Sequence, residues 1–149
     1  MSIPANFRAF RIHSDDAGYR SGIETISLDD LNPGEVVVKA AYSSVNYKDA
    51  LAGTGKGKIL RRFPLVGGID IAGHVVASAD PAFKEGDAVL VTGSGLSETR
   101  DGGYAEYLRV PDARYLLPIG DLDPAQAAPL ACSGVTTYSA LRKLGDQIE

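Results

Sequence analysis

The chain has 149 residues, of which 44% are hydrophobic and 23% charged, so its composition fits one globular domain with a sizeable core. Its formal net charge of −4 argues against nucleic-acid binding, which usually needs a basic face. It has no apolar run of about 18 residues, no signal-peptide pattern, and one cysteine, Cys132, which excludes an intramolecular disulfide. We expect a soluble cytoplasmic protein, without nucleic acid or membrane as partners.

Most of the chain reads as short strands with turn signals between them. The turn around Pro33 and Gly34 precedes a run rich in valine, and a short helix is predicted over 46–52, ended by Gly53. The predicted strands are 8–12, 23–27, 36–44, 69–77, 88–92, 104–110 and 115–117. Short strands at this spacing predict a mainly β fold with a few short helices, either a barrel or a sandwich.

The character of the sequence changes after Gly120. Asp123 is a good helix N-cap and Pro124 fits the first helical position, so a helix is predicted to about Ala131, with a second helix after it. We therefore expect one domain over 1–122 and, over 123–149, a helical connector toward another domain.

Two glycine-rich loops resemble phosphate-binding motifs, but neither matches its motif in full. Residues 53–58 read Gly-Thr-Gly-Lys-Gly-Lys, but the P-loop spacing is not met, so the segment is interpreted as a flexible basic loop. The alternative is that Lys56 and Lys58 attract a phosphorylated ligand, such as a cofactor or coenzyme A. Residues 93–95 lack the third glycine of a dinucleotide fingerprint, because Glu98 stands there, and they indicate a loop that borders a site.

Polar side chains gather where the third strand meets the first helix. Asn46, Tyr47 and Lys48 can supply hydrogen-bond donors to a carbonyl on which negative charge develops. The alternative for Asn46 is a plain helix N-cap. Farther along, Asp70 lies between two isoleucines, which predicts a carboxylate on the wet face of a strand or one paired with a cation such as Arg61.

Two blocks of sequence identify a family resemblance. Residues 43–52, with Asn-Tyr-Lys-Asp, and 62–73, with Pro-Leu-Val-Gly-Gly-Ile-Asp-Ile-Ala-Gly, resemble the YhdH/YhfP-type quinone oxidoreductases. That group includes the acrylyl-CoA reductases and is a zinc-independent branch of the medium-chain dehydrogenase/reductase superfamily. Residues 86–89 and 100–107 fit as well, and the resemblance covers about 7–120.

The resemblance implies a GroES-like, partly open β-barrel that precedes a Rossmann domain binding NADPH in the cleft between the two. The implied reaction is hydride transfer from NADPH to a quinone or to an activated double bond, such as that of an acrylyl-CoA-like enoyl thioester. The chain ends before any Gly-rich turn that would hold a dinucleotide, so we expect it to be truncated before the Rossmann domain and inactive alone.

The resemblance also implies roles for individual residues. Asn46 and Tyr47 match positions that line the cleft near the nicotinamide, and they are the expected polarising donors for the substrate carbonyl. Tyr47, Lys48 and Thr136 are the expected cofactor contacts. The expected substrate contacts are Asp49, Lys56 and Arg62.

The segment 129–141 is instead similar to the zinc-dependent alcohol dehydrogenases. In those enzymes the counterpart of Cys132 is a zinc ligand, but the other two ligands are missing here, at 45–47 and 68–70. One thiolate cannot build a three-ligand catalytic site, so we expect no zinc and an ordinary buried Cys132. A relative of alcohol dehydrogenase that has lost its zinc remains an alternative.

A further alternative is a non-catalytic barrel that binds a protein partner or forms a homo-oligomer. Separated from a second domain, the tail helices would expose apolar side chains, and such patches drive association. The side chains concerned are Leu130, Val135, Tyr138 and Leu141.

Overall fold

The computed structural model describes residues 2–145, and within that range strands predominate. The strands are β1 Phe7–Asp15, β2 Gly18–Ile26, β3 Val36–Tyr42, β4 Leu65–Val66, β5 Asp70–Ser78, β6 Ala88–Thr92, β7 Tyr107–Val110 and β8 Leu116–Pro118. The α-helices are α1 Tyr47–Thr54, α2 Pro124–Ala127 and α3 Ser133–Leu144. None of the helices described is both long and apolar enough to cross a membrane.

The strands form two sheets, and neighbouring strands within each sheet are antiparallel. One sheet has the order β7-β3-β5-β6-β8 and the other β2-β1-β4. The sheets meet where Ala9 bridges Ala105 and where the Phe10 amide donates to the Tyr104 carbonyl at 2.7 Å. The mainly β, GroES-like, partly open barrel that the sequence predicts is confirmed.

Strand β3 supplies side chains to two cores because successive residues of a strand point to opposite faces. Val36 and Val38 pack in one cluster with Ile71, whereas Val37 packs in another with Phe7. This run of three buried valines therefore lies between both halves of the barrel.

Two glycines, one in β5 and one at the end of α1, stand where the backbone requires them. Gly73, within β5, marks a close backbone approach, because a Cβ there would collide with the carbonyl of Lys39. The predicted end of α1 at Gly53 is wrong. The helix continues to Thr54 and stops at Gly55, whose φ of 69° is a left-handed conformation that favours glycine.

The tail packs on the barrel through its small residues. Ala127, Ala128 and Ala131 lie against Ala72 and Leu90 of the five-stranded sheet. The α3 helix that follows buries none of its residues. This arrangement places one end of α3 beside the barrel surface near α1, where the candidate site lies.

Candidate functional site

Asn46 forms the N-cap of α1 and gathers two carboxylates around its amide. Its side-chain nitrogen lies 3.0 Å from Ser44 Oγ, 3.2 Å from Asp49 Oδ2 and 3.1 Å from Asp70 Oδ2. Its backbone N–H donates to Asp49 Oδ2 at 2.9 Å. The helix-cap interpretation of Asn46 is therefore confirmed, and the same contacts connect α1 to strand β5.

Asp70 is fully buried rather than on a wet face, and within the described range 2–145 it pairs with no cation, so both predictions for it are wrong. Its carboxylate accepts from Ser44 N at 2.7 Å and from the hydroxyl of Ser44, besides the Asn46 amide. Within residues 2–145 Arg61 pairs with Glu98 instead, at 3.5 Å. Hydrogen bonds from a serine-rich strand end thus replace the counterion that a buried carboxylate otherwise needs.

Asp49 lies in the first turn of α1 with its carboxylate turned inward. It is 6% exposed, and its Oδ1 accepts from the backbone N–H of Ile69 at 3.1 Å. Together with the Asn46 contacts, this fixes the helix against the segment that leads into β5. In the structure Asp49 is a positioning group, and its contact with substrate stays a prediction.

Tyr104 completes this network, and the sequence analysis missed it. Its hydroxyl donates to the Ser44 carbonyl at 3.0 Å, and its ring covers Gly68, where φ is +94° and a Cβ would collide with that ring. Burial, followed by the negative charge of Asp49, raises the pKa of the Tyr104 phenol well above its ordinary value. The signal in the sequence was the pair of glycines, 102 and 103, just before it.

The network holds the exposed residues of α1 beside a cleft of about 450 Å³. Lys48 and Thr136 of α3 both line this cleft, so two of the three predicted cofactor contacts come together in it. Tyr47, the third, is 80% exposed on the first turn of α1 and is not among the residues that line the cleft.

A tight loop over 93–100 forms one wall of the cleft. The Gly95 carbonyl accepts the N–H groups of three successive residues, 98 to 100, at 2.9 to 3.1 Å. Ser94 and Ser97 adopt left-handed φ values of 48° and 56°, which are uncommon for residues other than glycine. The loop directs Glu98 at the Lys48 ammonium, 3.3 Å away, and this contact holds the pKa of the Glu98 carboxyl below its ordinary value.

Cys132 also lines the cleft and is half-buried, so the expectation of an ordinary buried cysteine is wrong. Among the residues described, no group of three or more His, Cys, Asp or Glu side chains is arranged to hold a metal ion. His74 lies exposed on β5, and His13 pairs with Glu24 at 2.6 Å.

The predicted substrate contacts Lys56 and Arg62 lie outside the cleft. Both are exposed on the segment that follows α1, beside a second groove of about 380 Å³. Tyr19, Lys58 and Phe63 are among the side chains that line this groove. Two of the predicted site residues, Lys48 and Thr136, therefore line the cleft, whereas none of the predicted site residues lines the neighbouring groove.

The alcohol dehydrogenase GroES-like domain family matches residues 32–121, which is more than half of the chain. The chain belongs to this family. Helix α1 and the 93–100 loop lie inside the matched segment, whereas α3 lies beyond it.

The GroES-like domain is similar to two curated oxidoreductases. It is 40% identical over 139 residues to YhfP of Bacillus subtilis, which is named as a candidate quinone oxidoreductase, covering 93% of this chain and 42% of that protein. It is 38% identical over 143 residues to the acrylyl-CoA reductase AcuI of Ruegeria pomeroyi, and the match covers 94% of this chain and 43% of that protein. The resemblance to the YhdH/YhfP-type group is confirmed.

The fold is shared with a solved structure of Escherichia coli YhdH with bound NADPH. The TM-score is 0.86 at 40% identity, covering 93% of this chain and 43% of that one. The chain thus spans less than half the length of each of these proteins. The relatives named here are described as oxidoreductases or reductases.

Proposed function

We propose that this GroES-like domain is the substrate-side part of an NADPH-dependent, zinc-free oxidoreductase that reduces an activated double bond or a quinone. The observation that carries the proposal is the cleft that Lys48 and Thr136 both line, beside the 93–100 loop. An ammonium group and a hydroxyl suit the phosphate and ribose oxygens of a dinucleotide, so the residues present fit the cofactor.

NADPH, when bound, supplies the hydride. As the hydride reaches the β-carbon of an enoyl thioester, negative charge develops on the carbonyl oxygen, and a fixed donor there lowers the barrier. We assign that donor to the exposed phenol of Tyr47, and the resulting enolate takes a proton from water at its α-carbon. A quinone accepts hydride and proton in the same sense and gives a hydroquinone.

In this proposal Asn46 acts mainly through Tyr47. Its amide is engaged with Ser44, Asp49 and Asp70, so it fixes the first turn of α1 from which the phenol projects. Because the donor is already in place, it does not have to reorient when hydride is transferred. Asp49 contributes by the same route, and Lys56 and Arg62 are assigned to the substrate farther from the reacting carbon.

A chimera tests this function directly. The 149-residue chain replaces the matching 43% of Escherichia coli YhdH, whose fold it shares with a TM-score of 0.86. We expect the chimera to oxidise NADPH with acrylyl-CoA or a simple quinone, and Tyr47→Phe to lower kcat by roughly 10²-fold. A folded chimera that binds NADPH and oxidises none with either substrate contradicts the proposal. Metal analysis is expected to find no stoichiometric zinc.

A second candidate function rests on the apolar face of α3. Val135, Tyr138, Leu141 and Leu144 follow one another at intervals of three and are 48–63% exposed. A contiguous apolar face of this kind marks a protein interface. We propose that it contacts another protein surface, either a nucleotide-binding domain in the same enzyme or a second copy of this chain.

A further inference from the structure

We propose that the groove beside the end of α1 binds the phosphorylated nucleotide portion of a coenzyme A thioester. The groove is lined by Tyr19, Lys58, Arg61 and Phe63 and is called the basic groove below. The identification of this ligand as part of the substrate rests on the proposed function, whereas the binding itself does not.

The first observation is a local excess of positive charge. Residues 53–63 contain four cations and no acid, although the chain as a whole carries a net charge of −4. All four cations are exposed, and among the residues described only Arg61 has an acidic partner. Such a cluster beside a concave surface concentrates anions there. The cations are Lys56, Lys58, Arg61 and Arg62.

The second observation is a pair of aromatic rings in the same groove. Tyr19 and Phe63 meet edge to face with their centroids 5.7 Å apart, and each keeps nearly two-fifths of its surface exposed. The hydroxyl of Tyr19 donates to the carbonyl of Ala52, which fixes that ring against the end of α1. Exposed, fixed aromatic faces between cations are suited to stack on a base while the cations hold its phosphates.

The third observation is that the basic groove adjoins the cleft. Glu98 lines the cleft and reaches Lys48 with one carboxylate oxygen and Arg61 of the groove with the other. Because Glu98 contacts a cation of each cavity, a flexible acyl arm on a ligand anchored by phosphates in the groove would extend toward the cleft that Lys48 lines. A quinone carries no phosphate, so this groove favours a thioester over a quinone as the substrate.

Calorimetric titration of the 149-residue chain with free coenzyme A tests the inference. Pantetheine, which lacks the nucleotide, is the comparison ligand. We expect coenzyme A to bind at least about tenfold more tightly than pantetheine, and its affinity to fall as salt is raised. The double variant Lys58→Gln/Arg61→Gln, which removes both cations that line the groove, should lose about tenfold in affinity for coenzyme A. Lys84→Gln is the control, because Lys84 is 86% exposed and lines neither cavity.

Three results overturn the inference: no binding of coenzyme A, equal binding of pantetheine, or an unchanged affinity in the double variant. Displacement of coenzyme A from the groove by NADPH at equal concentration also overturns it, because the groove then serves the cofactor. Quinone reduction by the chimera without coenzyme A binding contradicts this inference alone. Binding of coenzyme A by the groove without any NADPH oxidation contradicts the proposed function alone.

Discussion

The side-chain amide of Asn46 donates to the carboxylate of Asp70 across 3.1 Å, joining the cap of α1 to the first residue of β5. The carboxylate is fully buried, and leaving such a group without donors costs considerably more than a surface contact gains. This contact therefore sets where the first turn of α1 lies, and with it the positions of Tyr47 and Lys48.

Asp70→Asn is expected to lower the free energy of unfolding by about 3 kcal/mol, because hydrogen bonds to a buried carboxylate contribute roughly 1.5–3 kcal/mol each. The new amide would also turn an N–H₂ group toward the donors of Ser44 and Asn46. Urea unfolding measures the loss, with Asp16→Asn on the exposed hairpin turn as the matched control. A loss below about 0.5 kcal/mol, the size of an ordinary surface change, would show that the network does not stabilise the fold.

Tyr104 is expected to make the protein less stable in alkaline solution. Its phenol has a raised pKa in the folded state, so the unfolded chain loses that proton first as pH rises above about 10. The contribution of the Tyr104 phenol to the free energy of unfolding is fully present below about pH 10. It is lost as pH rises toward the pKa of the phenol in the folded state, and the free energy of unfolding falls by less than about 1.4 kcal/mol per pH unit.

Urea unfolding at about pH 9 and about pH 11 tests this linkage. Tyr104→Phe should be less stable at the lower pH, because the Ser44 carbonyl loses its donor, and should show a weaker decline with pH. Tyr138→Phe, on the exposed helix α3, serves as the control. An equal decline in the Tyr104→Phe variant would assign the alkaline sensitivity to other groups.

Glu98→Gln is expected to strengthen the binding of phosphate-bearing ligands several-fold. The neutral side chain no longer neutralises Lys48 and Arg61, so both cations become available to an anion. The measurement is a calorimetric titration with coenzyme A at low salt. Glu106→Gln removes the same charge from an ion pair with Arg8 on another part of the barrel and should leave the affinity unchanged. Equal effects of both variants would indicate a general charge effect.

The apolar face of α3 is expected to cause self-association of the 149-residue chain. Tyr138→Glu/Leu141→Glu removes two exposed apolar side chains, and we expect it to shift the chain toward monomer in size-exclusion chromatography with light scattering. Ser139→Glu adds charge to the same helix at an exposed small residue and should change little. A wild-type chain that stays monomeric at the highest concentration tested would count against this interface.

Strand periodicity and turn residues predicted most of the barrel, because valine-rich runs between Gly and Pro turns have few other structures open to them. The two-residue strand β4 was missed, since Leu65 and Val66 show too short a pattern to be read. The cap at Asn46 was predicted because capping is a local interaction, decided within one helical turn.

The buried network was not predicted because its partners are distant in the chain. Asp70 is satisfied by Ser44 and Asn46, and Tyr104 reaches Ser44 from 60 positions away, contacts that no local pattern encodes. The same holds for Lys48 and Thr136: the family resemblance named both, but only the path of the tail over the barrel shows that they line one cleft.

The most direct test of the account is a titration of the 149-residue chain with NADPH, in the wild type and in Lys48→Ala and Lys84→Ala. All strand pairings among the described elements are antiparallel, so the chain offers the cofactor the cleft contacts and no parallel dinucleotide-binding sheet. The account predicts a dissociation constant above roughly 100 μM, weakened further by Lys48→Ala and unchanged by Lys84→Ala. A low-micromolar constant, or one indifferent to Lys48→Ala, would contradict it.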